Sequence, residues 1–193
     1  MRHQAIARRE ALRQEERARR VAAIEAHLET LLELLSPRIL GFCWPYRGEP
    51  DLRDLVGRWL DGDDRRLAAL PVVLGKGQPL VFRRWAPGTP MELDPHGIAQ
   101  PRNSAPVLPD VVLVPLNAFD AAGYRIGYGG GYFDRTLAVL DTVAVGVGFE
   151  LGRADSVFPQ THDRPMHWLV TEAGSVRTAS GVDAPPAQER NIR

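Results

Sequence analysis

Apolar residues at Ile24, Leu28, Leu31, Leu32 and Leu35 recur at helical spacing and form one stripe, which Ser36-Pro37 ends. The residues before them are strongly charged. The pattern predicts one long helix, or two in tandem, over residues 5–35, its second half packed on a core. Residues 38–44 (RILGFCW) read as a short buried strand closed by Pro45. Between Asp51 and Leu60, the apolar positions 52, 55, 56, 59 and 60 share one helical face. Residues 67–74 and 79–85 follow as two strands around the turn Gly75-Lys76-Gly77. Residues 86–109 are rich in proline and glycine and show no period, so they are expected to form one long loop.

The second half is more regular. Residues 110–115 (DVVLVP) form a continuous apolar run, as in strands buried on both faces. A glycine-rich segment, a helix through residues 136–140 and a strand over 142–147 come next, and residues 167–171 make a last short strand. The segment from Ser180 (SGVDAPPAQERNIR) reads as a disordered tail. Strands alternating with helices predict an α/β fold. The expected architecture is a three-layer αβα domain over residues 1–179, with a mainly parallel sheet and an N-terminal helical segment.

Charge narrows the function. The 193 residues carry 24 basic and 24 acidic side chains, and this balance argues against a nucleic-acid coat. No apolar run approaches the roughly 20 residues of a membrane span, and the charged start shows no secretory h-region. Cys43 is the one cysteine, which excludes an internal disulfide and a multi-cysteine zinc site. The expectation is a cytoplasmic protein, monomeric or weakly self-associating, with small-molecule ligands and neither membrane nor nucleic-acid partners. Lys76, the single lysine, sits in a turn and reads as solvated, with a phosphate role left open.

The densest chemical signal is the segment 123–135 (GYRIGYGGGYFDR). Gly127, Gly129, Gly130 and Gly131 stand just before a helix, where backbone N–H groups can approach an anion. The spacing is neither a phosphate-binding Walker loop nor the dinucleotide fingerprint, since Tyr132 stands where the latter needs glycine. On the glycines alone, a turn requiring positive φ is an equal reading. Arg125 and Arg135 bracket the loop with guanidinium groups suited to phosphate oxygens. Asp134 either complements the helix dipole or, beside phosphates, offers the hard oxygen that Mg²⁺ requires. Tyr128, Tyr132 and Phe133 are core aromatics or walls for a flat heterocycle. A nucleotide site is the better reading.

These residues also carry a resemblance. Residues 110–135 (DVVLVPLNAFDAAGYRIGYGGGYFDR) resemble the signature of the 5-formyltetrahydrofolate cyclo-ligase family: a strand ending in Pro, a Phe-Asp, then Gly-x-Arg-Leu-Gly-x-Gly-x-Gly-Tyr-Tyr-Asp. Phe133 and Ile126 are the departures within it. Arg9-Glu-Ala-Leu-Arg13 is similar to the family's Lys-x-x-Leu-Arg element, which contacts ATP, with Arg9 in place of lysine. Glu49 and Trp44 match positions that line the folate. Residues 162–172 resemble the closing motif, where Asp163 matches a metal-linked aspartate and His167 replaces a second one.

The resemblance implies ATP-dependent conversion of 5-formyltetrahydrofolate to 5,10-methenyltetrahydrofolate, with release of ADP and phosphate. It implies ATP contacts from Arg9, Arg13, Arg125, Gly127, Tyr128, Gly129, Gly130, Gly131, Tyr132 and Phe133. The folate would meet Trp44, Glu49, Tyr128 and Tyr132. Mg²⁺ would meet Asp134 and Asp163, and Arg125, Tyr132 and Asp134 would be catalytic. His167 itself reads more simply as a packed or capping histidine. Two alternatives stand beside this reading: a non-catalytic folate or nucleotide sensor, which the departures at 9 and 167 would permit, and a sugar-phosphate isomerase or transferase on a similar scaffold. Cys43 reads as an inert buried thiol, His3, His27 and His96 lack metal-ligand spacing, and Ser104 and Ser156 lack a nucleophile context.

Overall fold

Val111, Leu113, Val143 and Val145 face one side of a sheet, while Val112, Val114 and Ala144 face the other, and all seven are buried. This two-sided burial explains why the central strands read as unbroken apolar runs. A computed structural model describes residues 1–182. Strands β1 (Ile39–Gly41), β2 (Leu67–Val72), β3 (Val81–Trp85), β6 (Pro106–Val107), β7 (Val111–Pro115), β10 (Val143–Val147), β11 (Trp168–Thr171) and β12 (Gly174–Arg177) form one sheet. Its order is β12-β11-β10-β7-β1-β2-β3-β6. The five strands from β11 to β2 are parallel, and antiparallel β12, β3 and β6 finish the two edges.

Helices cover both faces. The tandem pair is α1 (Arg2–Glu10) and α2 (Gln14–Leu35). The stripe of α2 packs with Leu55, Val56 and Trp59 of α3 (Arg53–Asp61) on the face presenting Leu40, Leu113 and Val145. On the opposite face, α4 (Tyr132–Leu137) sets Phe133 and Leu137 against Val112, Val114 and Ala144. The result is the expected three-layer α/β fold.

Local chemistry sets the element ends. Ser36 adopts a left-handed conformation (φ 45°) and returns its N–H to Leu32 O, closing α2 before Pro37. The Arg17 guanidinium donates to the carbonyls of Arg9, Glu10 and Leu12, which satisfies the end of α1 and fixes the break between the helices. At the amino end of the sheet, the buried Asp110 carboxylate accepts the Arg38 and Ile39 N–H groups at 2.9 and 2.8 Å. Asp110→Ala strands both donors and is expected to cost about 2–4 kcal/mol in chemical denaturation; a loss below about 1 kcal/mol would contradict this role.

Residues 86–109 are not the single loop the sequence predicts. They hold the hairpin β4 (Met91–Leu93) and β5 (Ala99–Pro101), and then β6, which joins the sheet edge beside β3. The Asp94 carboxylate organises the hairpin tip by accepting the His96 and Ile98 N–H groups. Such short strands carry too few residues to show a period. The predicted tail begins in α5 (Ala179–Val182), and its remainder, residues 183–193, lies outside the described residues.

Candidate active site

The chain leaves β1 toward β2 on one side and, from β6, crosses back to lay β7 on the other side of β1. The carboxyl ends of β1 and β7 therefore diverge, and ligand crevices in open α/β sheets form at such a switch point. A cavity of about 20 Å³ lies there, lined by Cys43 and Glu49 after β1, Leu113–Pro115 of β7, and Val147.

Everything that follows β7 builds one wall. Leu116 and Asn117 lead into the hairpin β8 (Ala118–Phe119) and β9 (Arg125–Ile126), whose turn is held by Asp120. The buried Asp120 carboxylate accepts the Ala122, Tyr124 and Val157 N–H groups, which gives the Phe-Asp pair a structural role. The glycine loop 127–131 then runs into α4. Gly129 (φ 98°) and Gly131 (φ 64°) hold conformations that side chains disfavour. The loop is flanked by two guanidinium groups. Arg2 Nε donates to Gly127 O at 2.7 Å, and Arg135 Nη2 donates to Gly130 O at 2.6 Å while stacking over Tyr132. The ring of His96, from the hairpin tip, meets Tyr132 edge-on at 6.3 Å. At Gly129 a Cβ would lie 3.0 Å from Arg2 Nη1. Gly129→Ala is expected to cost about 1–2 kcal/mol in chemical denaturation through backbone strain; a loss below about 0.5 kcal/mol would contradict this.

Beneath the loop, Arg125 is buried and ion-paired, its Nη1 donating to Asp134 Oδ1 at 3.0 Å and to Arg164 O at 3.2 Å. The Asp163–Arg164 peptide N–H reaches the same Asp134 oxygen at 3.2 Å, so Asp134 and the Asp163 backbone share one wall. Asp163 Oδ2 accepts the Gln160 N–H and its Oδ1 lies 3.8 Å from His162. Among the described residues no three metal-ligating side chains cluster. His167 is structural, because its Nδ1 accepts the Ala144 N–H at 2.8 Å on β10.

Nearer the crevice, Glu49 is buried. Its Oε1 accepts the Tyr128 hydroxyl at 2.7 Å, and its Oε2 accepts the Tyr46 N–H at 3.1 Å. Burial pushes the Glu49 carboxyl up, opposed by the Tyr128 hydrogen bond, the Arg9 charge and the Tyr46 N–H. Burial and the Glu49 charge push the Tyr128 hydroxyl well above its ordinary value. Burial likewise raises the Cys43 thiol beside the cavity. Trp44 packs on the core with Arg53 stacked over its ring at 4.6 Å.

Of the two arginines that the resemblance gives to ATP, Arg9 is buried between Glu49 and Tyr128 of the glycine loop, and Arg13 is an exposed residue opening α2. Arg2 also stands at the loop. Its signal was its place seven residues, two helical turns, before Arg9 on the same helix, which sequence reasoning passed over because Arg9 and Arg13 reproduce the family spacing.

The fold is that of an α/β protein whose switch-point crevice carries a glycine loop on one side and a buried carboxylate on the other. The chain belongs to the 5-formyltetrahydrofolate cyclo-ligase family, whose model matches residues 1–172. It is 28% identical over 153 residues to the 5-formyltetrahydrofolate cyclo-ligase of Haemophilus influenzae, covering 75% of this chain and 81% of that one. To the Escherichia coli K12 protein of the same name it is 31% identical over 136 residues, 65% of this chain and 73% of that one. The solved 5,10-methenyltetrahydrofolate synthetase of Aquifex aeolicus superposes with a TM-score of 0.80 at 29% identity, over 92% of this chain and 91% of that one. The Mycoplasma pneumoniae 5,10-methenyltetrahydrofolate synthetase shares the fold, with a TM-score of 0.73 at 20% identity over 89% and 96% of the two chains.

Proposed function

We propose that the protein is an ATP-dependent ligase that cyclises 5-formyltetrahydrofolate to 5,10-methenyltetrahydrofolate. The observation that carries this reading is the pairing, across one crevice, of the glycine loop with the Glu49 carboxylate in a chain of this family. The formyl oxygen attacks the γ-phosphorus and ADP leaves; N10 then attacks the activated formyl carbon and gives up its proton, the carbon–oxygen bond breaks, and phosphate departs with that proton. Such chemistry asks for alignment and charge neutralisation rather than a protein nucleophile.

In this assignment the amides of residues 127–131 cradle the phosphates. Arg125 from beneath and Arg2 from α1 neutralise them, while Tyr132 and Phe133 wall the nucleotide side. Glu49 accepts N–H donors of the pterin, with Tyr128 and Trp44 beside it. Asp134 and Asp163 would supply carboxylate oxygens of the hard kind that suits Mg²⁺, with phosphate and water oxygens completing its shell. The ion, when bound, would neutralise phosphate charge. No described helix is long and apolar enough to cross a membrane, and the reading takes the enzyme as cytoplasmic.

No observation favours the sensor or isomerase alternatives. The test is ATP hydrolysis followed by phosphate release. It is expected to depend on 5-formyltetrahydrofolate; hydrolysis indifferent to the folate, or none in its presence, would overturn the assignment.

A further inference from the structure

Arg9 spends four of its five guanidinium N–H donors within the protein. Its guanidinium donates to Arg47 O at 3.0 Å, Leu116 O at 3.4 Å, Asn117 Oδ1 at 2.9 Å and the Tyr128 hydroxyl at 2.7 Å, and its side chain is 3% exposed. These partners come from the segment after β1, the segment after β7, and the glycine loop. One arginine of α1 thus ties together both lips of the crevice.

The hydrogen-bond polarity is fixed by chemistry. A guanidinium only donates, so the Tyr128 oxygen must accept from Arg9 and send its own proton on to Glu49 Oε1. Glu49 is thereby required to be an acceptor at that oxygen. Arg9 Nη2 also lies 3.9 Å from the same oxygen. The rest of the cavity lining around Glu49 is uncharged or raised by burial: Pro50, Leu52, Val114 and Val147 are apolar, and burial pushes the Cys43 thiol up. The neighbouring Arg47 guanidinium is taken by Glu10. Among the described residues, Arg9 is the one cation within ion-pair distance of this carboxylate.

We propose that Arg9 is a positioning residue for folate recognition: by fixing the direction of the Tyr128 proton, it holds Glu49 ionised and aimed into the crevice as an acceptor for the pterin N–H groups. The second lone pair on each Glu49 oxygen is what the ring would use. This rests on the placement of folate at Glu49 given above. Below its pKa a carboxyl loses its charge and turns one oxygen into an O–H donor, so it accepts N–H groups less strongly. Burial already raises that value, and removal of Arg9 raises it further. Folate affinity in a variant lacking Arg9 should therefore be lost as pH falls.

The experiment measures kcat and both KM values in the full-length chain carrying Arg9→Met, Arg9→Lys, Tyr128→Phe or Glu49→Gln. Arg9→Met is expected to raise the folate KM about tenfold near pH 6 and much less near pH 8, with kcat and the ATP KM within about threefold. Arg9→Lys should recover part of the loss, since the charge returns without the fork. Tyr128→Phe breaks the relay without deleting the ring, so it decides the question should Arg9→Met fail to fold; it should raise the folate KM, and adding Arg9→Met to it should add little. A rise in the ATP KM instead, or a folate effect equal at both pH values, would overturn the proposal. Glu49→Gln separates the two layers. If it leaves the folate KM unchanged, the folate placement is wrong; if it raises it while Arg9→Met and Tyr128→Phe do not, only the role of Arg9 falls.

Discussion

Asp134→Ala is expected to lower kcat by roughly 10²–10³-fold, because it removes the carboxylate that holds Arg125 and that is proposed to hold Mg²⁺, the positive charges that would meet the phosphoryl group. Asp134 Oδ1 holds both the Arg125 guanidinium and the Arg164 N–H, so its loss frees the cation proposed to face the phosphates. The Glu49 network shares no hydrogen bond with Asp134, so folate affinity measured by calorimetry should change by no more than about threefold. Asp134→Asn refines the result. It keeps an acceptor for Arg125 but not the charge: recovery would assign Asp134 to holding Arg125, and no recovery would assign it to charge, as a magnesium role requires. An unchanged kcat in Asp134→Ala would contradict both.

Arg125→Ala should act on the nucleotide. A charge-assisted hydrogen bond to phosphate is worth about 2 kcal/mol, so the ATP KM should rise roughly 30-fold. Arg125 also stands over the Phe133 ring and holds Arg164 O, and its loss leaves Asp134 half-buried without its cation. A stability loss of about 1–3 kcal/mol should accompany the kinetic effect. Arg125→Lys restores charge without the fork that spans Asp134 and Arg164 O, so stability should recover less than ATP binding. An ATP KM equal to that of the unaltered protein would remove Arg125 from the site.

What the sequence disclosed follows from how local each feature is. The α2 stripe, the β7 and β10 runs and the glycine loop are written in contiguous residues, and each forms where its pattern places it. The loop 127–131 was legible even in its flanking Arg125 and Asp134. The hairpin β4–β5 and the edge strand β6 were not, because their strands are two or three residues long and their order comes from pairing partners. Strand β12 was missed for the same reason: it reads as polar, with Ser175, Val176 and Arg177 exposed, and is made by its register against β11.

The site divides the same way. Glu49 and Tyr128 were each named, yet their mutual hydrogen bond spans 79 residues and no spacing encodes it. For Arg9 the resemblance implies an ATP contact. What no spacing encodes is its set of partners, Arg47, Asn117 and Tyr128, which lie 38, 108 and 119 residues away. His167 shows the opposite case. Its residue type and short strand already read as a packed or capping histidine, and its bond to the Ala144 N–H makes it a strand clamp.

The most direct test of the account follows the methenyl chromophore by absorbance when purified protein meets 5-formyltetrahydrofolate, ATP and Mg²⁺, with each component omitted in turn. The account predicts chromophore formation only when folate and ATP are both present, accompanied by one phosphate per ring closed. Absence of the chromophore with folate and ATP both bound, or its appearance without ATP, would contradict it.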